Sequence, residues 1–211
     1  MEKFKKGLKW FFTSFIWLGV LLLITDLVSK LSVVLNKDYI LSSGGIVLIP
    51  NFLRINYLIN NNMVFGISLG SDMANRIVFC VFALLIVIGV IIFTVIKWGK
   101  LNKFYRASIM MIVAGALGNI IDRIFYSPEF LGSTVNGVVD WIDFYGIWPF
   151  NFNIADSAVV LAAIMMIVYM IIQEIIDYRK NNKNNPKEDD NEKVISKTEQ
   201  EKNEYLENKD E

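Results

Sequence analysis

Four long apolar stretches punctuate the chain, at about Trp10 to Leu31, Ile77 to Ile96, Ala107 to Ile124 and Phe152 to Ile176. Each has the roughly 20 mostly apolar residues that a helix needs to cross a bilayer, so the pattern predicts four transmembrane helices. The first follows Lys3, Lys5, Lys6 and Lys9, as the apolar core of a cleavable leader would. It is too long for one, contains Asp26 and lacks a small-x-small cleavage site, which makes it a permanent anchor. Between the first two stretches lies IVLIPNFLRINYLINNNMVFGISLG, rich in β-branched and aromatic residues and broken by Pro50 and Gly66. That composition predicts a small strand-rich platform. From Asn181 onward the chain is mostly Asn, Lys and Glu, so residues 1–180 are expected to fold as one domain and 181–211 to form a disordered tail.

The short flanks set an orientation, because Lys and Arg are held on the cytoplasmic side. The N-terminus is basic, the second link carries Lys97, Lys100, Lys103 and Arg106 with no acid, and Arg179, Lys180 and Lys183 follow the last stretch. Both termini are therefore expected in the cytoplasm, with the connections at about 32–76 and 125–151 outside.

Composition agrees with a membrane class: 54% of the 211 residues are hydrophobic and the mean hydropathy is +0.43. The net charge is zero and no basic tract suggests a nucleic-acid partner. The absence of histidine removes His-dependent triads and the common zinc sites, and nothing in the sequence calls for a metal or cofactor. Cys80, the single cysteine, lies in an apolar run and reads as a small buried hydrophobe.

Ionisable residues inside spans are expensive, which makes each a functional candidate. Given the orientation, Asp26 falls in the outer third of span one, Asn119, Asp122 and Arg123 near the outer end of span three, and Asn153 and Asp156 in the first turns of span four. The short outer connection returns Asp140 and Asp143 to that level in the string VVDWIDF, which reads as a surface-lying or re-entrant segment. Asn119-Ile-Ile-Asp122 and Asn153-Ile-Ala-Asp156 repeat one form, an amide three residues before a carboxylate and so on the same helix face. Two carboxylates sharing a site cannot easily both ionise, so one holds a proton while the other activates water; this hydrolyses amides without metal, histidine or cysteine. Asp156 is the best placed, and its partner could be Asp122 or Asp140. Arg123 follows Asp122 and biases it toward a permanently ionised, supporting role, whereas Val138, Val139, Trp141 and Ile142 surround Asp140 with apolar groups that would let it keep a proton. Asp143 is not excluded. The small residues Ala114, Gly115, Ala116 and Gly118, and Ala155, Ala158, Ala162 and Ala163, predict close helix packing around the cluster. A rival class, an ion-coupled carrier, would need acids near the midplane and repeat symmetry, and neither is present.

The strings TDLVSK, IPNFLRINYLINNNMVFG, GALGNIIDR, VVDWIDF and FNIADS, in that order over about residues 22–160, resemble the lipoprotein signal peptidase (signal peptidase II) family of bacterial membrane aspartyl peptidases. The resemblance implies a mainly α membrane protein, four helices with a small extracytoplasmic β-cradle, in the cytoplasmic (inner) membrane. It implies removal of the signal peptide from diacylglyceryl-modified prolipoproteins, just before the lipidated cysteine, by a single-subunit enzyme whose partners are substrate and membrane lipid. Carried onto this chain, the dyad is Asp140 with Asp156, supported by Asp26, Asn60, Asn119, Asp122, Arg123 and Asn153. The chain departs from the family pattern in Asn62-Met63-Val64, bulky where small residues are usual, in Asp26-Leu27, and in a longer segment SPEFLGSTVNG.

Overall fold

In a computed structural model of the chain, residues 1–60, 72–126, 129–130, 133–134 and 137–184 are described below. The variant Asn62-Met63-Val64 string, most of SPEFLGSTVNG and the tail from residue 185 lie outside them. In order, the elements are α1 (Glu2–Ser14), α2 (Ile16–Leu35), α3 (Lys37–Ser42), β1 (Ile46–Ile49), β2 (Leu53–Asn60), α4 (Asp72–Lys97), a 3-10 turn (Trp98–Lys100), α5 (Lys103–Phe125), β3 (Glu129–Phe130), β4 (Ser133–Thr134), β5 (Val138–Asp143), β6 (Asn151–Phe152) and α6 (Ile154–Asn184).

Among the described residues, four helices are long and apolar enough to cross a membrane: Ile16–Leu35, Ile77–Lys100, Lys103–Phe125 and Ile154–Asn182. Most of their large apolar side chains are exposed, including Leu21, Ile24, Leu85, Ile92 and Leu161. Such surfaces are stable only against hydrocarbon. The expected span one is corrected at both ends. Its helix breaks at Phe15, which takes the left-handed conformation at φ 61°, and the apolar helix runs from Ile16 to Leu35 rather than from Trp10 to Leu31. Aromatic residues at 10–12 extend the apolar run in sequence, but they belong to a separate helix whose other face carries lysine.

The chain divides into two compact units, Met1–Met166 and Ile167–Glu211. In the second, the described residues continue α6 to Asn184, past the expected domain end at 180, with Ile167, Met170 and Ile171 exposed. In the first, α5 is the most buried of the four candidate spans. The side chain of Asn102 accepts from the Tyr105 amide at 3.0 Å and starts that helix, satisfying one of the donors a helix N-terminus leaves open. Small residues let it sit centrally. A Cβ on Gly118 would lie 2.5 Å from Asp26 Oδ2, and one on Gly115 would collide with the Ala155 carbonyl oxygen. Met111, Ala158 and Ala162 form the bundle core, lined by Leu18, Leu22, Ile112 and Met165.

The strand-rich platform is a four-stranded antiparallel sheet, in order β1-β2-β5-β6. Its β5 is the VVDWID string. The segment expected to be surface-lying or re-entrant is a paired strand, with Leu58 opposite Asp140 and Arg54 opposite Asp143. Val33, Ile40, Tyr57, Ile59 and Val139 form a second core beneath it. Along α2 the two cores are separated by Asp26 and Lys30, which with Val33 are the buried residues of that helix. That spacing of four and three puts all of them on one inward stripe.

Candidate active site

The N-terminus of α6 organises the site. Asn153 is its N-cap: Oδ1 accepts from the Asp156 amide at 2.8 Å, and Asp156 Oδ2 accepts from the Asn153 amide at 3.2 Å. This is a reciprocal capping box, which satisfies two orphan donors and fixes both side chains. With Oδ1 engaged by the cap, the Asn153 Nδ2 group is directed elsewhere. It donates to Asp140 Oδ1 at 2.7 Å and, at 3.2 Å, to Asn119 Oδ1. Asn153 is fully buried, at 0% exposure, so one locked asparagine holds a carboxylate on each side.

The other oxygens are held as specifically. Asn60, at the end of β2, donates from Nδ2 to Asp140 Oδ2 at 2.9 Å. Asn119, on α5, donates to Asp156 Oδ1 at 2.8 Å. Asp140 is buried at 1% exposure, whereas Asp156 is half-buried. Burial, and then the charge of Asp156, push the Asp140 carboxyl up to about 7 against the amide bonds from Asn60 and Asn153. Near neutral pH it is thus poised between its protonated and ionised forms.

Behind this pair lies an ion network. Lys30 Nζ contacts Asp26 Oδ2 at 2.7 Å, Asp122 Oδ2 at 3.1 Å and Asn119 Oδ1 at 3.1 Å, which employs all three ammonium donors. Asp26 Oδ1 accepts from the Ala155 amide at 2.9 Å, adding a second cap to α6. Asp122 Oδ2 accepts from the Val139 amide at 3.1 Å, pinning β5 beside Asp140. Two expectations change here. Asn119 serves Asp156 across the helix interface rather than Asp122 on its own helix. Asp122 is paired with Lys30 rather than governed by its neighbour Arg123, whose guanidinium lies 3.8 Å over the Phe79 ring of α4 and donates to the Asn119 carbonyl at 3.4 Å. Asp122 is thus held by Lys30 and the Val139 amide.

Asp143 is drawn away. Three residues from Asp140 on a strand, it points to the opposite face, where Arg54 Nε donates to it at 2.6 Å. All eight expected site residues except Arg123 join one hydrogen-bonded network through side-chain groups. Lys30 is a further member of the network, not among the site residues expected from the sequence. Its position four residues after Asp26, on the same helical stripe, was the available signal.

Apolar spans around a pair of amide-bridged carboxylates, with no histidine in the chain, have the make-up of a membrane peptidase of the aspartic type. The model for "Signal peptidase (SPase) II" matches residues 18–172. Similar proteins named lipoprotein signal peptidase include one from Fusobacterium nucleatum subsp. nucleatum, 35% identical over 153 residues that cover 71% of this chain and 81% of that protein. Another, from Clostridium novyi, is 41% identical over 128 residues, covering 59% and 77%. A solved bacterial membrane enzyme superposes with a TM-score of 0.57 at 30% identity, over 75% of this chain and 88% of the other. The chain belongs to the signal peptidase II family, and is a bacterial membrane protein and an aspartic-type peptidase.

Proposed function

We propose that this chain is a lipoprotein signal peptidase that removes the signal peptide from diacylglyceryl-modified prolipoproteins, cutting before the lipidated cysteine, with Asp140 and Asp156 as its dyad. The observation that carries this reading is Asn153, whose amide donates to Asp140 at 2.7 Å while its backbone N–H donates to Asp156 at 3.2 Å. One buried residue thus bonds to both carboxylates.

Asp140, pushed up to about 7, supplies the proton of the pair, and Asp156 acts as base. Asp156 takes a proton from water as the oxygen attacks the scissile carbonyl carbon, while Asp140 protonates the carbonyl oxygen. The tetrahedral species collapses with cleavage of the C–N bond, the proton on Asp156 passes to the leaving amine, and the proton lent by Asp140 returns to it. The lysine-rich flanks support both termini in the cytoplasm and the dyad at the outer face. The site needs no second copy.

The test is purified protein with a diacylglyceryl-modified precursor, beside Asp140→Asn and Asp156→Asn. Each variant is expected to insert and to lose cleavage, by at least the roughly 100-fold that one general acid or base contributes. Full processing by either variant would remove its aspartate from the dyad.

A further inference from the structure

The molecule carries a second ordered feature at the other end of α5 from Asp122, and the reaction makes no use of it. α1 is amphipathic. Phe4, Leu8 and Phe11 recur at four and three residues, with Phe12 beside them, and all are exposed. Glu2, Lys6, Lys9 and Thr13 recur at the same spacing on the opposite face. The helix is separated from the first span at Phe15, a bulky residue in the left-handed region that only surrounding contacts can hold there. Those contacts are present: Ser14, fully buried, donates to the Phe11 carbonyl at 2.7 Å, and Trp17 Nε1 reaches the Phe12 carbonyl at 3.2 Å. The break therefore belongs to the fold.

Trp10 of α1 packs on Trp98 with ring centroids 6.3 Å apart. Arg106 lies over the Trp98 ring at 4.5 Å and donates to its carbonyl at 2.9 Å. These contacts join α1, with Lys3, Lys5, Lys6 and Lys9, to the link that carries Lys97, Lys100, Lys103 and Arg106. Glu2 is the one acid in the two segments, and its pair with Lys6, at 3.3 Å, is almost fully exposed. Like charges gathered on exposed side chains repel unless an outside anion meets them. An exposed apolar stripe beside them calls for hydrocarbon at the same level.

We propose that α1 and the α4–α5 link form an interfacial surface that binds the headgroups of anionic phospholipids in the leaflet opposite the active site. The apolar stripe enters the acyl boundary and the lysines meet the headgroup phosphates. The charge complementarity commits the surface to lipid. The rival occupant is the chain's own acidic C-terminal segment, with Glu188, Asp189 and Asp190.

The test uses the full chain reconstituted in phosphatidylcholine bilayers with spin-labelled phosphatidylglycerol or, in parallel, spin-labelled phosphatidylcholine. The fraction of motionally restricted label measures association. Wild type is expected to prefer phosphatidylglycerol by roughly 5-fold or more, the equivalent of about 1 kcal/mol for one lysine near an anionic surface, and the preference should shrink in high salt. The fourfold variant Lys3→Gln, Lys5→Gln, Lys6→Gln and Lys9→Gln keeps helix-forming residues; it should lose most of the preference while processing precursor at the wild-type rate, which also reports that it has folded. A preference that survives the fourfold variant overturns the proposal. So does its absence from wild type, the result expected if the acidic segment holds the surface.

Discussion

Replacing Asp140 by Asn should make the protein inactive and, above neutral pH, more stable. The carboxyl is raised from 3.8 to about 7 by burial and by Asp156. A carboxyl raised in the folded state contributes stability that is fully present below its unfolded value and is lost as pH rises through its folded value. At 1.36 kcal/mol per unit of pKa, the wild type forfeits on the order of 4 kcal/mol between about pH 4 and pH 7.5. Asparagine has nearly the same shape and does not titrate, so the variant escapes that loss. It has its own cost, because its NH2 must face the NH2 of Asn60 or Asn153, which donate to Asp140 at 2.9 and 2.7 Å. One buried donor left unpaired costs about 1–3 kcal/mol, but that penalty is independent of pH. The slope therefore isolates the ionisation. Chemical unfolding in detergent at pH 4.5, 6 and 8 would measure it, with Asp156→Asn as a second series. Parallel wild-type and Asp140→Asn stability curves would refute the reasoning, since they would mean that Asp140 ionises as easily in the fold as in water.

Lys30→Met strands two buried carboxylates and is expected to cost more than Asp26→Asn, at roughly 3–5 kcal/mol for breaking a buried pair; denaturant midpoints compare them, and equal losses would contradict the shared role. Gly118→Ala places a methyl group 2.5 Å from Asp26 Oδ2, so overpacking of about 1–3 kcal/mol and reduced processing are expected, read by thermal unfolding and precursor cleavage. Asp143→Asn weakens the pair between buried Asp143 and the partly exposed Arg54, at about 1–3 kcal/mol for a hydrogen bond to a charged group, and should leave cleavage close to wild type. Loss of cleavage as complete as that of Asp140→Asn would return Asp143 to the candidate dyad.

What the sequence by itself determined is local or statistical in origin. Twenty-residue apolar runs cross a bilayer whatever surrounds them, and their lengths announced four spans. The pairing of Asn153 with Asp156 was legible because a capping box closes within three residues. The depth at which the acids collect followed from counting along spans of alternating direction. The choice among those acids was different, because it depends on bonds between distant parts of the chain. Asp140 and Asp143 would share a face on a helix, but on β5 they point apart, one to Asn60 and Asn153, the other to Arg54. That outcome needs β2 as a partner strand. Asn119 looked matched to Asp122 by spacing, yet it donates to Asp156, because Gly118 and Gly115 bring α5 within reach of α6. Lys30 took the part assigned to Arg123, since the inward stripe of α2 delivers an ammonium to Asp26 and Asp122 together while the guanidinium finds the face of Phe79. Burial makes these choices sharp. A polar group sealed from water must satisfy itself with whatever the packed helices and strands place within 3 Å, and that set of neighbours exists only once the chain is folded.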